Sequence, residues 1–392
     1  MDTYNIQFYD LLSRALGEGE SVQSFLDNTM ALKYNSLQLD GFTFDPFMQT
    51  DFTFEQVLGE VGLNATAQYY DLDSPPLPDG TPGYKAYTGK IPRMKKVEYF
   101  NEDKLRKMRL VEDRKSATAA QIAEIAYQQL FITVDNLIGG HTNALTYQRH
   151  QAVSTGKFSI TATNNPKGIK DIVIDYHVPA ANKTTLSGNN RWWTSATHSD
   201  ANKGSTADPV KDMVAIVETA RKKGIRGHFE VNIDFLKEVV NHPAVIAQIG
   251  ISVLPVAAAA QQSSYAGIMT YEAKKSALEG LVGAPIKAID SLVPIESIDK
   301  TNKAFVKANV DAFEKDVLVF VPDGNIGVVK TVEPIAIEGG QYGSFYGGKL
   351  LLTVGVDYVK KCQGFYTEMT SLVIPSVPQY MWYLYPCDPT AS

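Results

Sequence analysis

The sequence predicts an α+β protein assembled from an N-terminal arm, a projecting hairpin, a long helix and a compact helix-and-strand segment. Three observations predict it. Residues 1–40 and 60–100 hold too few clustered apolar residues to build a core of their own. Between 116 and 154, Ile122, Ile125, Ala126, Leu130, Leu137 and Ile138 recur near the helical period. From Asp208 onward, helix-period stretches alternate with short apolar runs.

Length and composition set the frame. A chain of 392 residues has room for two or three domains of roughly 150 residues each. Apolar residues make up 44% and charged residues 20%, an ordinary globular balance that needs neither disulfides nor metals to fold. The two cysteines, Cys362 and Cys387, are expected to be free thiols in a reducing compartment. No apolar run approaches the roughly 20 residues that span a bilayer, so no membrane partner is expected. The opening Met1-Asp2-Thr3-Tyr4 lacks the basic-then-apolar order of a secretory signal. A net charge of -6 argues against gripping nucleic acid, which needs clustered Lys and Arg. It does not argue against enclosing it.

In the arm, Tyr4, Phe8, Leu11, Leu12 and Ala15 follow helical spacing until Gly17-Glu18-Gly19 interrupts. The hairpin is expected from two strand-like stretches, Leu63–Leu72 and Tyr84–Tyr99, about a tip containing Pro75, Pro76, Pro78, Gly80, Pro82 and Gly83. A ribbon without a packed face is marginal alone. Asp71 and Asp73 lie on one side of the tip, and Lys85, Lys90, Arg93, Lys95 and Lys96 on the other, a charge split suited to contacts between subunits.

The long helix spans 116–154, with Ser116 and Thr118 as candidate caps and Gly139-Gly140 as a candidate break. Gly156 ends it. Strands follow at Phe158–Ile160 and Ile172–Val178, about a turn at 164–168. Residues 182–206 read as irregular and polar apart from Trp192-Trp193. Asp208-Pro209 then opens a helix that Gly224 stops. Further helices are expected at about 234–240, 243–249 and 272–281, and a strand at Phe229–Ile233. Val317–Val321 and Ile326–Val332 read as strands joined by an Asp323-Gly324 hairpin turn. Leu350–Val354 is a further strand, and an aromatic β-prone segment closes at Thr370–Tyr385.

No reaction centre emerges. The six histidines show no metal-ligand spacing, so no metal, cofactor or catalytic residue is expected. The segment Gly339 to Gly348, with Gly343 at its middle, lacks the phosphate-binding fingerprint and reads as a loop needing unusual backbone angles. The tryptophan pair and the cluster Tyr380, Trp382, Tyr383 and Tyr385 read as packing anchors. Segments that cannot bury themselves imply a homo-oligomer.

Several phrases, in order, carry a family resemblance. They are Gln148-Arg149-His150 through Ser154-Thr155-Gly156-Lys157, Asp175-Tyr176, Thr184-Thr185-Leu186, and Trp192 or Trp193 followed by Asp208-Pro209-Val210-Lys211-Asp212. Asn241-His242-Pro243, Val319 to Gly327 and Glu368 to Pro375 continue the series. Over about residues 90–386 the chain resembles the lambda-type major head proteins of tailed phages. That resemblance implies a Hong Kong 97-type capsid fold and a structural role rather than an enzymatic one. It implies an N-arm at 1–40, an E-loop hairpin with P-domain strands at 41–115, and a P-domain with its spine helix at 116–206. An A-domain at 207–355 and a return strand at 356–392 complete it. The implied function is a major capsid protein. Its copies form hexamers and pentamers of an icosahedral head that encloses double-stranded DNA without sequence-specific binding. The protein would be a virion component assembled in the bacterial cytoplasm, with scaffolding, decoration and portal proteins as further partners. The interface residues expected are Phe8, Leu12, Pro76, Pro78, Lys85, Lys90, Arg93 and Gly343. Two alternatives stand beside this: an encapsulin-like cargo shell, and a cytosolic enzyme built on the glycine-rich loop and the tryptophan pair. The insertion Thr197 to Ala207 and the first 60 residues have no counterpart in the resemblance.

Overall fold

A computed structural model describes residues 26–30, 33–34, 36–59, 84–100, 119–162, 164–165, 172–195, 198–290, 292–298, 305–335, 342–357 and 362–387. These residues mix helix and sheet, the α+β class that the sequence predicts. The first strands are β1 (Phe42–Phe44), β2 (Thr53–Gly59), β3 (Tyr84–Lys90) and β4 (Arg93–Phe100). Helix α1 (Ala119–Thr155) precedes β5 (Lys157–Ile160), β6 (Ile172–Asp175) and β7 (Lys183–Thr185). Then come α2 (Pro209–Lys222), β8 (Gly227–Asn232), α3 (Ile233–Val240), α4 (Pro243–Val253), α5 (Ala259–Ile268) and α6 (Tyr271–Val282). The remaining strands are β9 (Ile286–Ile289), β10 (Leu292–Ile298), β11 (Phe305–Asp311), β12 (Leu318–Pro322), β13 (Gly327–Val332), β14 (Tyr342–Phe345), β15 (Leu350–Asp357), β16 (Cys362–Pro375) and β17 (Trp382–Tyr385).

The chain divides into two compact units. Unit 1 takes Met1–Phe54, Gly89–Thr146 and Val328–Val373, and unit 2 takes Glu55–Thr88, Tyr147–Gly327 and Ile374–Ser392. The boundary expected at 355 therefore falls inside unit 1, which begins its last segment at Val328.

Unit 1 is organised on a sheet ordered β1-β13-β16-β15-β14, with β4 also paired to β16. The expected ribbon is only partly described. Strand β3 pairs with β2, a run the sequence left unassigned, while 63–72 and the tip lie outside the described residues. The expected strand 84–99 is two strands. Pro92 has no N–H for a ladder, and β4 leaves to pair antiparallel with β16, from Arg93 opposite Thr370 to Phe100 opposite Gln363. Phe54 is buried, and Gly89 makes room for its ring: a Cβ there would stand 2.6 Å from it.

Helix α1 runs unbroken through Gly139-Gly140, where the sequence suggested a break. Two glycines weaken a helix without ending it, by about 1 kcal/mol each. Gly140 has a local use. The Lys96 side chain crosses it and donates to the Asn136 carbonyl at 2.7 Å, and a Cβ on Gly140 would stand 2.7 Å from Lys96 Nζ. Val134, Leu137, Ile138, His141 and Leu145 are buried at three- and four-residue spacing. Although α1 spans 37 residues, no helix among the described residues is long and apolar enough to cross a membrane.

Unit 2 is organised on the sheet β7-β17-β12-β8-β9. Central β12 pairs antiparallel with β8 and β17. With both its edges occupied, β12 cannot also pair with β13. The expected β12–β13 hairpin is therefore absent, and β13 lies in the other sheet. Gly324, at φ 93°, supplies the left-handed residue of the connecting turn. The core gathers Trp192, Phe229, Phe235, Phe320 and Trp382, with Phe229 and Phe320 edge-on at 5.3 Å. Helix α2 begins as predicted: Asp208 accepts from the Lys211 N–H and Pro209 holds the first turn.

Gly156 closes α1 at φ 70°. A Cβ there would stand 2.7 Å from Val178 Cγ2. Gly156→Ala is expected to lower stability by roughly 1–3 kcal/mol, from left-handed strain and overpacking together. An unchanged denaturant midpoint for that variant would refute this account.

Candidate assembly surfaces and buried polar clusters

Of the eight interface residues expected from sequence, Phe8, Leu12, Pro76 and Pro78 lie outside the described residues. Lys85 lies on β3, and Lys90 ends that strand with its side chain exposed. Arg93 opens β4, and its guanidinium pairs with Glu368 on the adjacent β16. Lys95 Nζ is 3.9 Å from the same carboxylate. Arg93 is thus engaged within its own subunit, in a half-exposed pair of the kind worth at most about 1 kcal/mol.

Gly343 is a packing residue, not part of an open loop. It sits buried in β14, where a Cβ would stand 3.0 Å from the Phe345 ring and 3.4 Å from Leu26 Cβ. Among the described residues of this segment, the unusual backbone angles expected of it fall in the following turn, at Tyr346, Gly347 and Gly348. Part of the expected arm packs beside Gly343. Leu26 and Met30 are fully buried. Tyr34 lies edge-on to Phe345 at 6.3 Å, and Lys33 and Tyr34 both bond Asp135. At these positions the chain packs on its own unit. Phe47 and Ile335 remain more than 80% exposed in unit 1. In unit 2, Val256 just before α5 and Ile268 at its end are likewise exposed.

The tryptophan pair anchors the core of unit 2, as expected. Trp192 is fully buried, donates through Nε1 to Asp212 at 2.9 Å and stacks on Phe235. Burial raises the Asp212 carboxyl above its ordinary pKa, against the pull of that hydrogen bond.

Sequence reasoning missed two polar clusters, one buried and one partly buried, because each joins residues far apart in the chain. In the first, Arg149 of α1 pairs with Glu230 of β8, and both side chains are at most 2% exposed. His228 Nε2 is 3.6 Å and Lys287 Nζ 3.9 Å from Glu230 Oε1. Burial alone would raise the Glu230 carboxyl. The nearby His228 imidazole and the Arg149 charge outweigh it, so its pKa lies below the usual value. Contact with Glu230 in turn holds His228 above its usual value.

The second cluster is the one group of three or more among the described residues with metal-ligating geometry. The donor atoms of His198, Asp316 and Cys387 lie within 4.8 Å of one another. His198 stacks on Trp193 at 4.5 Å, and its Nδ1 meets the Glu238 carboxylate. Cys387 is a buried free thiol. Burial pushes its pKa up to about 12 and also raises that of Asp316.

No curated protein matches the chain. Solved structures similar to it include a phage-related protein from Bordetella bronchiseptica RB50, 14% identical, covering 98% of each chain with a TM-score of 0.46. Another is the putative capsid protein of a prophage of E. coli CFT073, 11% identical, covering 96% of this chain and 98% of that one at a TM-score of 0.47. A third is the mature capsid of bacteriophage PhiM1, 10% identical, covering 91% and 88% at a TM-score of 0.43. A family model described as phage major capsid protein E matches residues 31–336, most of the sequence. The chain belongs to that family, and is a shell-forming structural component of a virion rather than an enzyme.

Proposed function

We propose that copies of this chain associate as hexamers and pentamers that close an icosahedral head around double-stranded DNA. In this reading residues 1–40 are the N-arm, and the ribbon within 41–115 is the E-loop. Residues 116–206 hold the P-domain with its spine helix, 207–355 the A-domain, and 356–392 the return to the P-domain. The observation that carries the reading is that β2 and β3 form a two-stranded sheet of their own. Such a ribbon is marginal in isolation, and a neighbouring copy is the surface that completes it. A second feature supports it. Residues 239–271 contain no Asp, Glu, Lys or Arg, yet Val256 and Ile268 in that stretch are exposed. Around a symmetry axis identical residues meet, so a neutral apolar surface avoids like-charge repulsion there. Many such contacts, each weak, sum over a closed lattice.

The net charge of -6 suits a wall that does not hold packed DNA tightly. Scaffolding, decoration and portal proteins are the further partners, and the bacterial cytoplasm is the place of assembly. Deleting residues 73–83 is expected to leave a soluble, folded subunit that forms no shells, read by circular dichroism and negative-stain microscopy. Normal particles from that deletion would remove the E-loop assignment.

A further inference from the structure

We propose that His198, Asp316 and Cys387 form a zinc site in unit 2, with His198 Nε2, an Asp316 carboxylate oxygen and Cys387 Sγ as ligands. This inference is independent of the shell reading.

Four observations carry it. First, the His198 side chain is 7% exposed and its Nε2 has no hydrogen-bond partner among the described residues. A buried polar atom left in that state is costly. Asp316 Oδ1 is 3.8 Å away, too far for a hydrogen bond. It is close to the separation of roughly 3.3–3.8 Å that bonds of 2.0–2.3 Å impose on ligands sharing a tetrahedral zinc. Second, Glu238 already holds Nδ1 of the same ring. That contact selects the tautomer with Nε2 unprotonated, as the carboxylate behind a zinc-bound histidine does. Third, the ring cannot swing away easily. It stacks on Trp193 and lies edge-on to Phe235 at 5.7 Å. Fourth, the donor set is selective. Thiolate and imidazole disfavour magnesium and calcium and suit zinc. One thiolate and one carboxylate would neutralise the dication in a partly buried place.

On binding, the Cys387 thiol gives its proton to solvent and its sulfur takes the metal. A water completes the tetrahedron. The ligands come from the loop before α2, the turn before β12 and the residues after β17, so the ion would clip three remote chain segments together.

The test uses the full-length protein, stripped with a chelator and then titrated with cobalt(II) as a spectroscopic stand-in. One equivalent is expected to give the visible bands of a tetrahedral site and a thiolate-to-cobalt charge-transfer band, both abolished by zinc. Cys387→Ser should lose the charge-transfer band and His198→Ala the saturable binding, whereas Cys362→Ser should behave as the parent. Glu238→Gln should bind roughly 10–100-fold more weakly. Zinc should raise the melting temperature of the parent but not of His198→Ala. Should a variant fail to fold, the parent protein decides alone. The proposal is overturned if the parent shows no charge-transfer band and melts identically in zinc and in chelator. It is also overturned if the band survives Cys387→Ser or follows Cys362 instead.

Discussion

Replacing Glu230 with leucine is expected to destabilise unit 2 by about 3–5 kcal/mol, because it removes the carboxylate that pairs with the buried Arg149 guanidinium. The two partners are not equivalent. Without Glu230, Arg149 keeps its charge at any accessible pH and has lost its carboxylate partner. Without Arg149, Glu230 still has His228 at 3.6 Å and Lys287 at 3.9 Å. Arg149→Met should therefore fall at or below the lower end of the same range. Replacing both residues with apolar ones of similar volume should recover most of the loss, since paired buried charges often contribute little net stability over good packing. Urea unfolding of the two single variants and the double variant gives the coupling directly. Additive single and double effects would mean that the pair does not act as a unit.

The legible parts of this chain are those governed by neighbours in sequence. Asp208-Pro209 capping α2, Gly156 closing α1 and the β5–β6 pairing all follow from local rules. The family phrases were legible for the same reason, each being a short run of adjacent residues. What was illegible depends on which strand edges are occupied and on which distant side chains meet. An Asp-Gly turn between two apolar runs reads as a hairpin. Nothing within residues 317–332 reveals that β8 and β17 already flank β12. Gly139-Gly140 likewise reads as a break until Lys96 is seen lying across it. Gly343 reads as loop because nothing next to it in sequence shows that it will be buried in β14 with Leu26, more than 300 residues away, packed over it. The His198 cluster shows the limit most sharply. Its ligands span 198 to 387, so no spacing rule finds them, and only the folded chain brings them together.

Acidification should destabilise both units, and two histidines set the window. His141 in unit 1 and His150 in unit 2 are buried, and burial drives each pKa from 6.5 down to about 4. The charges of Lys96 and Arg149 add to the two shifts in turn. Neutral His141 fits its place, with Nε2 at 2.9 Å from Thr367 Oγ1. Each histidine takes up its proton more readily when unfolded. Stability is therefore fully present above about pH 6.5, falls as the pH drops from there towards 4, and levels off below. A separation of this size corresponds to about 3 kcal/mol per histidine at the acid limit. His228 works in the opposite sense, because its folded pKa is raised. Its contribution is present at low pH and lost as the pH rises through that value, so it offsets part of the acid loss in unit 2. Unit 1 should then show the steeper response among these groups. Unfolding midpoints in urea at pH 7.5 and pH 5 measure it, and His141→Gln should flatten the pH dependence at some expense of stability at pH 7.5. Equal midpoints at the two pH values, or an unaltered slope in His141→Gln, would show that these imidazoles are not held neutral by the fold.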